Sequence, residues 1–346
     1  MTTEAQRPKR IDAHVHIVGN ARGGNGCWLR PSLLRWPLQA IMLRHIGLPI
    51  SALDGDLDQI FVAQLLRFVQ TSSLDAAVIL AQEQVYDSHG RLMEDYGTAY
   101  VPNDYVLRLA RENPEFLPAV SIHPARLDAL EELERCLGAG AVMMKCLPNC
   151  QNIDCSDPRF TKFWERMAEA KLPLLAHTGG EHTLQVVRAE FADPTYLERP
   201  LQCGVTVIAA HAANKSGLVD PNYFPKLVAL MERYPNLYAD NSAFNANFRG
   251  RVTPQCLRSP VAERIVHGSD FPVPVFGFFP WLQGQVSWQD YRRCQREPNV
   301  IEREYQLKRA MGFTEETFTR INHLLRPTPA VLAPPVPKPA SLVGAV

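Results

Sequence analysis

Eight short runs of apolar and β-branched residues recur along the chain. Longer stretches with apolar positions three and four apart separate most of them. The runs are Arg10–Ile17, Ala76–Gln82, Phe116–Ile122, Gly140–Leu147, Leu172–His177, Val205–His211, Asn236–Asn241 and Arg264–Asp270. The spacing between them predicts helices over Leu57–Thr71, with Asp56 as cap, and over Asn103–Asn113 and Leu127–Leu137. It predicts others over Pro158–Lys171, with Asp157 as cap, Pro221–Tyr234 and Val300–Met311. Thr183–Glu190 and Pro254–Glu263 are shorter helical patterns. Strand and helix in regular alternation give a parallel sheet. Eight such units predict an α/β fold, a (β/α)8 TIM barrel, rather than an open doubly wound sheet. No strand-adjacent G-x-G-x-x-G supports a dinucleotide site.

Two connections are long. Val18–Asp56 follows the first strand and Phe271–Asn299 follows the eighth. Loops at the carboxyl ends of barrel strands are where substrates are selected. Ser32–Ile46 is apolar, broken by Pro37, and reads as a cap over the barrel or a subunit contact. The organisation expected is a polar start over 1–9, one barrel over 10–326 and a proline-rich tail over 327–346. Six prolines fall within Pro327–Pro339.

Composition narrows the picture. Of 346 residues, 46% are hydrophobic and 21% charged, which excludes bulk disorder. Thirty-six Lys and Arg balance 36 Asp and Glu, so the chain lacks the basic excess of a general nucleic-acid or anionic-membrane binder. The start MTTEAQRPKR has no apolar core of a secretory signal, and no apolar run reaches about 18 residues. The eight cysteines form no C-x-x-C pair, and the cluster Cys146, Cys150, Cys155 reads as reduced thiols rather than a zinc site. A cytoplasmic enzyme acting on a small molecule is expected, with no nucleic-acid or membrane partner. The tail and Ser32–Ile46 leave room for homo-oligomerisation.

The histidines carry the chemistry. His14 and His16 stand two apart on the first strand, so they face one side, and simple alternation puts Asp12 on that face one layer deeper. His177 ends the fifth strand, His211 the sixth and Asp270 the eighth, and Lys145 lies near the end of the fourth. Catalytic groups in barrels come from the carboxyl ends of different strands. Neutral imidazoles with a carboxylate suit zinc, with manganese or iron as alternatives. Beside such an ion Asp270 would accept a proton from water, and His211 would polarise a carbonyl or steady an oxyanion.

The pieces IDAHVH (11–16), VMMKCLPN (142–149), LLAHTGGEH (174–182), VIAAH (207–211) and VHGSDFP (266–272) resemble the amidohydrolase superfamily. Within it the chain is similar to the amidohydrolase 2 branch, which includes aminocarboxymuconate-semialdehyde decarboxylase, and the resemblance runs from Arg10 to Arg326. It implies that His14, His16, His177 and Asp270 hold one divalent metal, with Asp270 and His211 catalytic. Lys145 would carry a second metal, as a carbamate, or contact substrate; the K-x-x-P-N context (Lys145, Pro148, Asn149) goes with one metal. The activity implied is hydrolysis of an ester, lactone or amide by metal-activated water. The alternative is metal-dependent, non-oxidative decarboxylation of an aromatic or muconate-like acid.

Other residues are weighed beside these. His123, Glu181 and His182 are candidates for a second metal or for substrate, with hydrogen-bonded or solvated loop positions as the equal alternative. Arg22, Arg91, Arg249 and Arg251 are candidate clamps for an anion, although each reads first as a surface residue. Phe271, Phe276, Phe278, Phe279, Trp281 and Trp288 read as a pocket wall. His267, on the opposite face from Asp270, reads as a packing residue.

Overall fold

The computed structural model describes residues 7–30 and 36–327. Residues 1–6 of the expected polar start and 328–346 of the expected tail lie outside them. Eight parallel strands pair in chain order: β1 Ile11–His16, β2 Ala76–Leu80, β3 Phe116–Val120, β4 Met143–Cys146, β5 Leu174–Ala176, β6 Val207–Ala209, β7 Leu237–Asp240 and β8 Ile265–Val266. β8 meets β1 again. Ala13 N donates to His267 O at 2.9 Å, His16 N donates to Phe271 O at 2.9 Å, and Val15 bridges Phe271. The sheet thus closes into the expected barrel, with helices in most connections.

Alternate residues along the strands fall into two buried apolar clusters. One holds Ala77, Ile79, Met144, Leu174, Val207 and Ile265 together with helix residues such as Leu57, Phe61 and Leu65, so it is the layer between strands and helices. The other holds Val78, Leu80, Met143, Leu175, Ile208 and Val266, with Val142 and Ala210 flanking strands and Ile321 from the closing turn. This second set is the barrel interior. Lys145 and His177 continue its alternation toward the carboxyl ends.

β1 departs from simple alternation. Asp12 pairs with Ala77 but Val15 pairs with Ile79, so β1 carries one extra residue between them. Ile11 lies opposite Ala76 and His16 opposite Leu80, both partners in the interior set. Asp12, opposite Ala77, therefore does not share the face of His16, contrary to the alternation read from sequence. An inserted residue re-aims the side chains beyond it. Here the Asp12 carboxylate is wholly buried and accepts from His14 N at 3.1 Å and Ser269 N at 2.9 Å, which holds the irregular stretch.

The helices over Leu57–Gln70, Asn103–Glu112, Ala129–Gly138, Phe224–Arg233 and Val300–Ala310 stand where the periodicity predicts them. Asp56 caps the first, accepting from Gln59 N at 3.1 Å. Pro158–Lys171 begins as a 3-10 turn over Pro158–Phe160 and continues as a helix over Thr161–Glu169. Thr183–Glu190 is not a helix. Its amides are taken by other partners: Leu184 N by Glu181 Oε1 at 2.8 Å, Gln185 N by Thr98 Oγ1 at 2.8 Å, and Val187 N by Asn149 O at 2.8 Å. These contacts fold the segment against the barrel mouth. Pro254–Glu263 is likewise broken, into Thr253–Cys256 and a 3-10 turn over Val261–Arg264.

One buried ion pair ties the fold to the strand ends. Lys308, on the helix Val300–Ala310, lies 2.7 Å from Glu304 Oε1, and neither side chain is exposed. Its ammonium also donates to Asn241 O, just beyond β7, and lies 3.5 Å from Gly268 O, just beyond β8. Lys308→Met would leave Glu304 buried without its counter-charge. The expected cost is about 3–5 kcal/mol, read as a lower denaturant midpoint.

Candidate active site

β1, β4, β5, β6 and β8 bring the singled-out residues to one end of the barrel. His14 and His16 approach with their Nε2 atoms 3.1 Å apart. Asp270 Oδ1 lies 3.4 Å from each of these nitrogens. Asp270 follows β8 in a left-handed conformation, φ 65°, rare for a residue with a side chain. Gly268 makes this approach feasible, because a Cβ there would stand 2.8 Å from His14 Cβ.

Three donors spaced 3.1–3.4 Å apart fit the edges of a tetrahedron. An ion about 2.0–2.1 Å from each ligand requires edges of about 3.3–3.4 Å. Among the described residues this is the one cluster of His, Cys, Asp and Glu with spacing for a metal; the cysteines at 146, 150 and 155 form none. His177 is not in that trio. Its Nε2 is buried without a hydrogen-bond partner and lies 3.6 Å from Glu181 Oε2, and its ring is 5.0 Å from that of His211. A buried, unpartnered imidazole nitrogen beside such a trio suits a further ligand.

The electrostatics keep the imidazoles of His14, His177 and His211 neutral. Burial, then the Lys145 ammonium, brings His14 down to about 4 against the pull of Asp240 and Asp270. Burial, then Arg249, lowers both His177 and His211 well below the usual range. For Asp270, burial pushes upward, but His14, His16 and Arg249 outweigh it and hold the carboxyl at about 2. Neutral His14 and His177 with an ionised Asp270 suit metal ligation. Lys145 Nζ is buried 3.1 Å from His14 Nε2, and burial lowers its pKa.

Asp240, at the end of β7, organises the site and was not singled out from the sequence. Its Oδ2 lies 2.7 Å from His14 Nδ1, and its Oδ1 accepts from His211 N at 2.7 Å and Ser242 N at 3.0 Å. Burial opposes its charge, but His14 and these donors hold it well below the usual carboxylate range. An ionised carboxylate only accepts. His14 therefore carries its proton on Nδ1 and presents the Nε2 lone pair to the trio. The Ser242 hydroxyl also donates to Asp240, which leaves Ser242 Oγ to accept from His211 Nδ1 at 2.7 Å. His211 then turns an unprotonated Nε2 toward the pocket. This differs from the oxyanion-donor role read from sequence. His211, Ala212 and Ala213 all adopt left-handed backbone, with φ between 48° and 58°, a strained run that fixes the imidazole. The strand-end rule that singled out the other residues points to Asp240 as well.

The remaining candidates divide. Glu181 lines the same cleft as His16, His177, His211 and Asp270. His123 is buried apart from it, its Nε2 3.0 Å from Gln151 O and its Nδ1 accepting from Ala125 N. His182 is largely exposed and pairs with Asp220 at 2.9 Å. Arg249 is buried rather than on the surface: Nη2 donates to Gly180 O at 2.6 Å, and Nη1 has no hydrogen-bond partner. Arg22 and Arg91 are exposed, spent on Asp54 O and Asp87. Arg251 is also exposed, over the Phe248 ring. His267 packs as expected, its ring 4.7 Å from that of Phe318.

The cleft opens to solvent and, counted with its open mouth, spans about 1010 Å³. The aromatic loop is not its wall. Phe276, Phe278, Trp281 and Trp288 are absent from its described lining, and Trp281, Trp288 and Tyr291 stack on one another. The first long loop supplies much of the wall, and the second adds only Pro272 and Val273 among the described lining residues. The helix Trp36–His45 contributes Gln39, Met42 and Leu43, and Ile46 follows, so this segment caps the barrel.

A closed parallel barrel with histidines and carboxylates gathered at its carboxyl end is the architecture of a barrel enzyme. Comparison with known sequences and structures then fixes the family. The sequence pattern of the Amidohydrolase family (Amidohydro_2) matches residues 11–293, and the chain belongs to that family. Its superfamily consists of hydrolases and decarboxylases that usually bind a divalent metal. No curated protein sequence matches significantly. Among solved structures, an uncharacterised TIM-barrel protein from Bordetella bronchiseptica is 17% identical, with a TM-score of 0.58 over 88% of this chain and 99% of that one. A putative 2-pyrone-4,6-dicarboxylic acid hydrolase from Pseudomonas putida is 15% identical, with a TM-score of 0.52 over 95% and 98%. At such identities the likeness establishes the fold and does not choose the reaction. Among the described residues no helix is long and apolar enough to cross a membrane.

Proposed function

We propose that the protein is a metal-dependent hydrolase that cleaves an ester, lactone or amide of a small molecule. The observation that carries the reading is the trio His14, His16 and Asp270, with His177 beside it and the unprotonated His211 Nε2 on the same cleft. A single trio favours one divalent ion, zinc first and manganese or iron next, held by His14, His16 and Asp270 with His177 as further ligand. Lys145 is then a buried amine beside the ligands rather than a bridging carbamate. When bound, the ion polarises the scissile carbonyl and lowers the pKa of water toward ~7. Asp270 takes the proton of the attacking water and orients its oxygen. That proton then moves from Asp270 to the unprotonated Nε2 of His211, which Asp240 and Ser242 hold in place, and from there to the departing alcohol or amine. The bond from water oxygen to carbonyl carbon forms, and the bond to the leaving group breaks.

Arg249 favours a second reading. Its buried, unpartnered Nη1 lies near His177 and His211, where it could meet the carboxylate of an acid undergoing decarboxylation. The described cleft lining holds no arginine or lysine, which keeps hydrolysis first.

The two readings separate in one assay. Purified protein, stripped with a chelator and reloaded with zinc or manganese, is offered uncharged esters, lactones and amides, and separately aromatic acids. Hydrolysis should disappear on stripping and return on reloading. Carbon dioxide release without ester, lactone or amide turnover would replace the first reading by the second. Hydrolysis that survives metal removal would contradict both.

A further inference from the structure

We infer that the substrate is a molecule with a single polar reacting group at one end and an uncharged, apolar body. The inference rests on the hydrolytic reading above and names its substrate class.

The floor of the cleft is polar, made by His16, His177, His211 and Asp270 at the strand ends. Its walls are different. Ile17, Met42, Leu43, Ile46, Leu53 and Phe61 all line it, drawn from just past β1, the capping helix and the residue after it, the 3-10 turn Ile50–Asp54 and the helix Leu57–Gln70. A wall of this kind gains from each methylene it takes out of water. Among the described lining residues there is no lysine or arginine, and the one acidic wall residue besides Asp270 is Glu181. The described cations nearby do not stand along these walls: Arg249, whose Nη1 has no hydrogen-bond partner, and Lys145 lie with the histidines at the floor. Arg30 donates to Tyr96 O at 2.9 Å. A carboxylate on the far end of a substrate would lose its hydration against aliphatic side chains with no cation among the described wall residues to offset the loss.

The capping helix is fixed in place. Val275 N donates to His45 Nε2 at 2.9 Å, and the His45 ring lies against Phe276 at 5.5 Å. This joins the two long loops across the mouth, so the apolar wall belongs to the folded site. Glu181 is fixed as well, because its Oε1 accepts from Leu184 N at 2.8 Å.

The test is calorimetric titration of the zinc-loaded protein with straight-chain hydroxamic acids from acetyl to octanoyl, whose head group ligates divalent ions. Suberic acid monohydroxamate, of octanoyl length with a terminal carboxylate, serves as the charged counterpart. Affinity should rise roughly threefold to fourfold per added methylene. The charged counterpart should bind about a hundredfold more weakly than the octanoyl compound. Met42 is only partly buried, so Met42→Lys should fold, and it should narrow that gap by about tenfold. Affinity independent of chain length, equal binding of the charged counterpart, or no binding of any member would overturn the inference. Turnover of esters with the same tails is measured in parallel. A chain-length gradient in binding without ester turnover contradicts the hydrolytic reading alone. Ester turnover that favours the carboxylate-tipped substrate contradicts this inference alone.

Discussion

Asp270→Asn is expected to lower turnover by on the order of a thousandfold or more while the barrel stays folded. Asp270 stands at the junction of every role proposed for the site. Its Oδ1 is 3.4 Å from both His14 Nε2 and His16 Nε2, so the amide would remove the only charged ligand of the trio. It would also remove the group proposed to accept the water's proton. The change is nearly isosteric and the residue follows the strand, so circular dichroism should be unaltered. His14→Ala should abolish turnover to a similar degree but with a structural cost. Asp240 Oδ2 would lose its 2.7 Å partner in a fully buried setting, a loss of about 1–3 kcal/mol. Steady-state rates, metal content by elemental analysis and denaturant unfolding separate the two effects. Near-normal turnover in either variant would remove these residues from the chemistry.

Asp240→Asn should weaken metal affinity about 10–100-fold and slow turnover, although Asp240 is not proposed to touch substrate or ion. Its carboxylate fixes the His14 tautomer and, through Ser242, that of His211. An amide in its place can turn its NH2 toward either partner and so reverse one of those tautomers. Two readouts distinguish positioning from general weakening. Metal affinity measured by competition with a chelating dye should fall while the unfolding midpoint moves little. Ser242→Ala should lower turnover with less effect on metal affinity, because it breaks only the His211 branch. Equal losses of affinity in both variants would contradict this division.

Much of the arrangement was legible because barrels place chemistry by a simple rule. His14, His16, Lys145, His177, His211 and Asp270 each fall at or near a strand's carboxyl end, and the structure gathers them there. What escaped the sequence depends on relations between strands. The extra residue in β1 is defined only by its pairing with β2, so alternation misplaced Asp12. Asp240 obeys the same strand-end rule but reads as an ordinary polar ending until His14 is seen 2.7 Å away. Arg249 reads as a surface residue until the loop folds it beneath Gly180. The helical spacing of Thr183–Glu190 is real, but side chains and distant carbonyls claim its amides first. Aromatic content suggested a wall from the second long loop. The aliphatic cap from the first supplies much of it, since the aromatic rings satisfy one another.

The central claim is that the trio at the barrel mouth is a metal centre. The most direct measurement is anomalous diffraction from crystals of the purified protein, collected above and below the absorption edge of the metal found by elemental analysis. The account predicts one peak per chain, within about 2.0–2.2 Å of His14 Nε2, His16 Nε2 and an Asp270 oxygen. No peak there in metal-loaded protein, or a peak at Cys146, Cys150 and Cys155 instead, would contradict it.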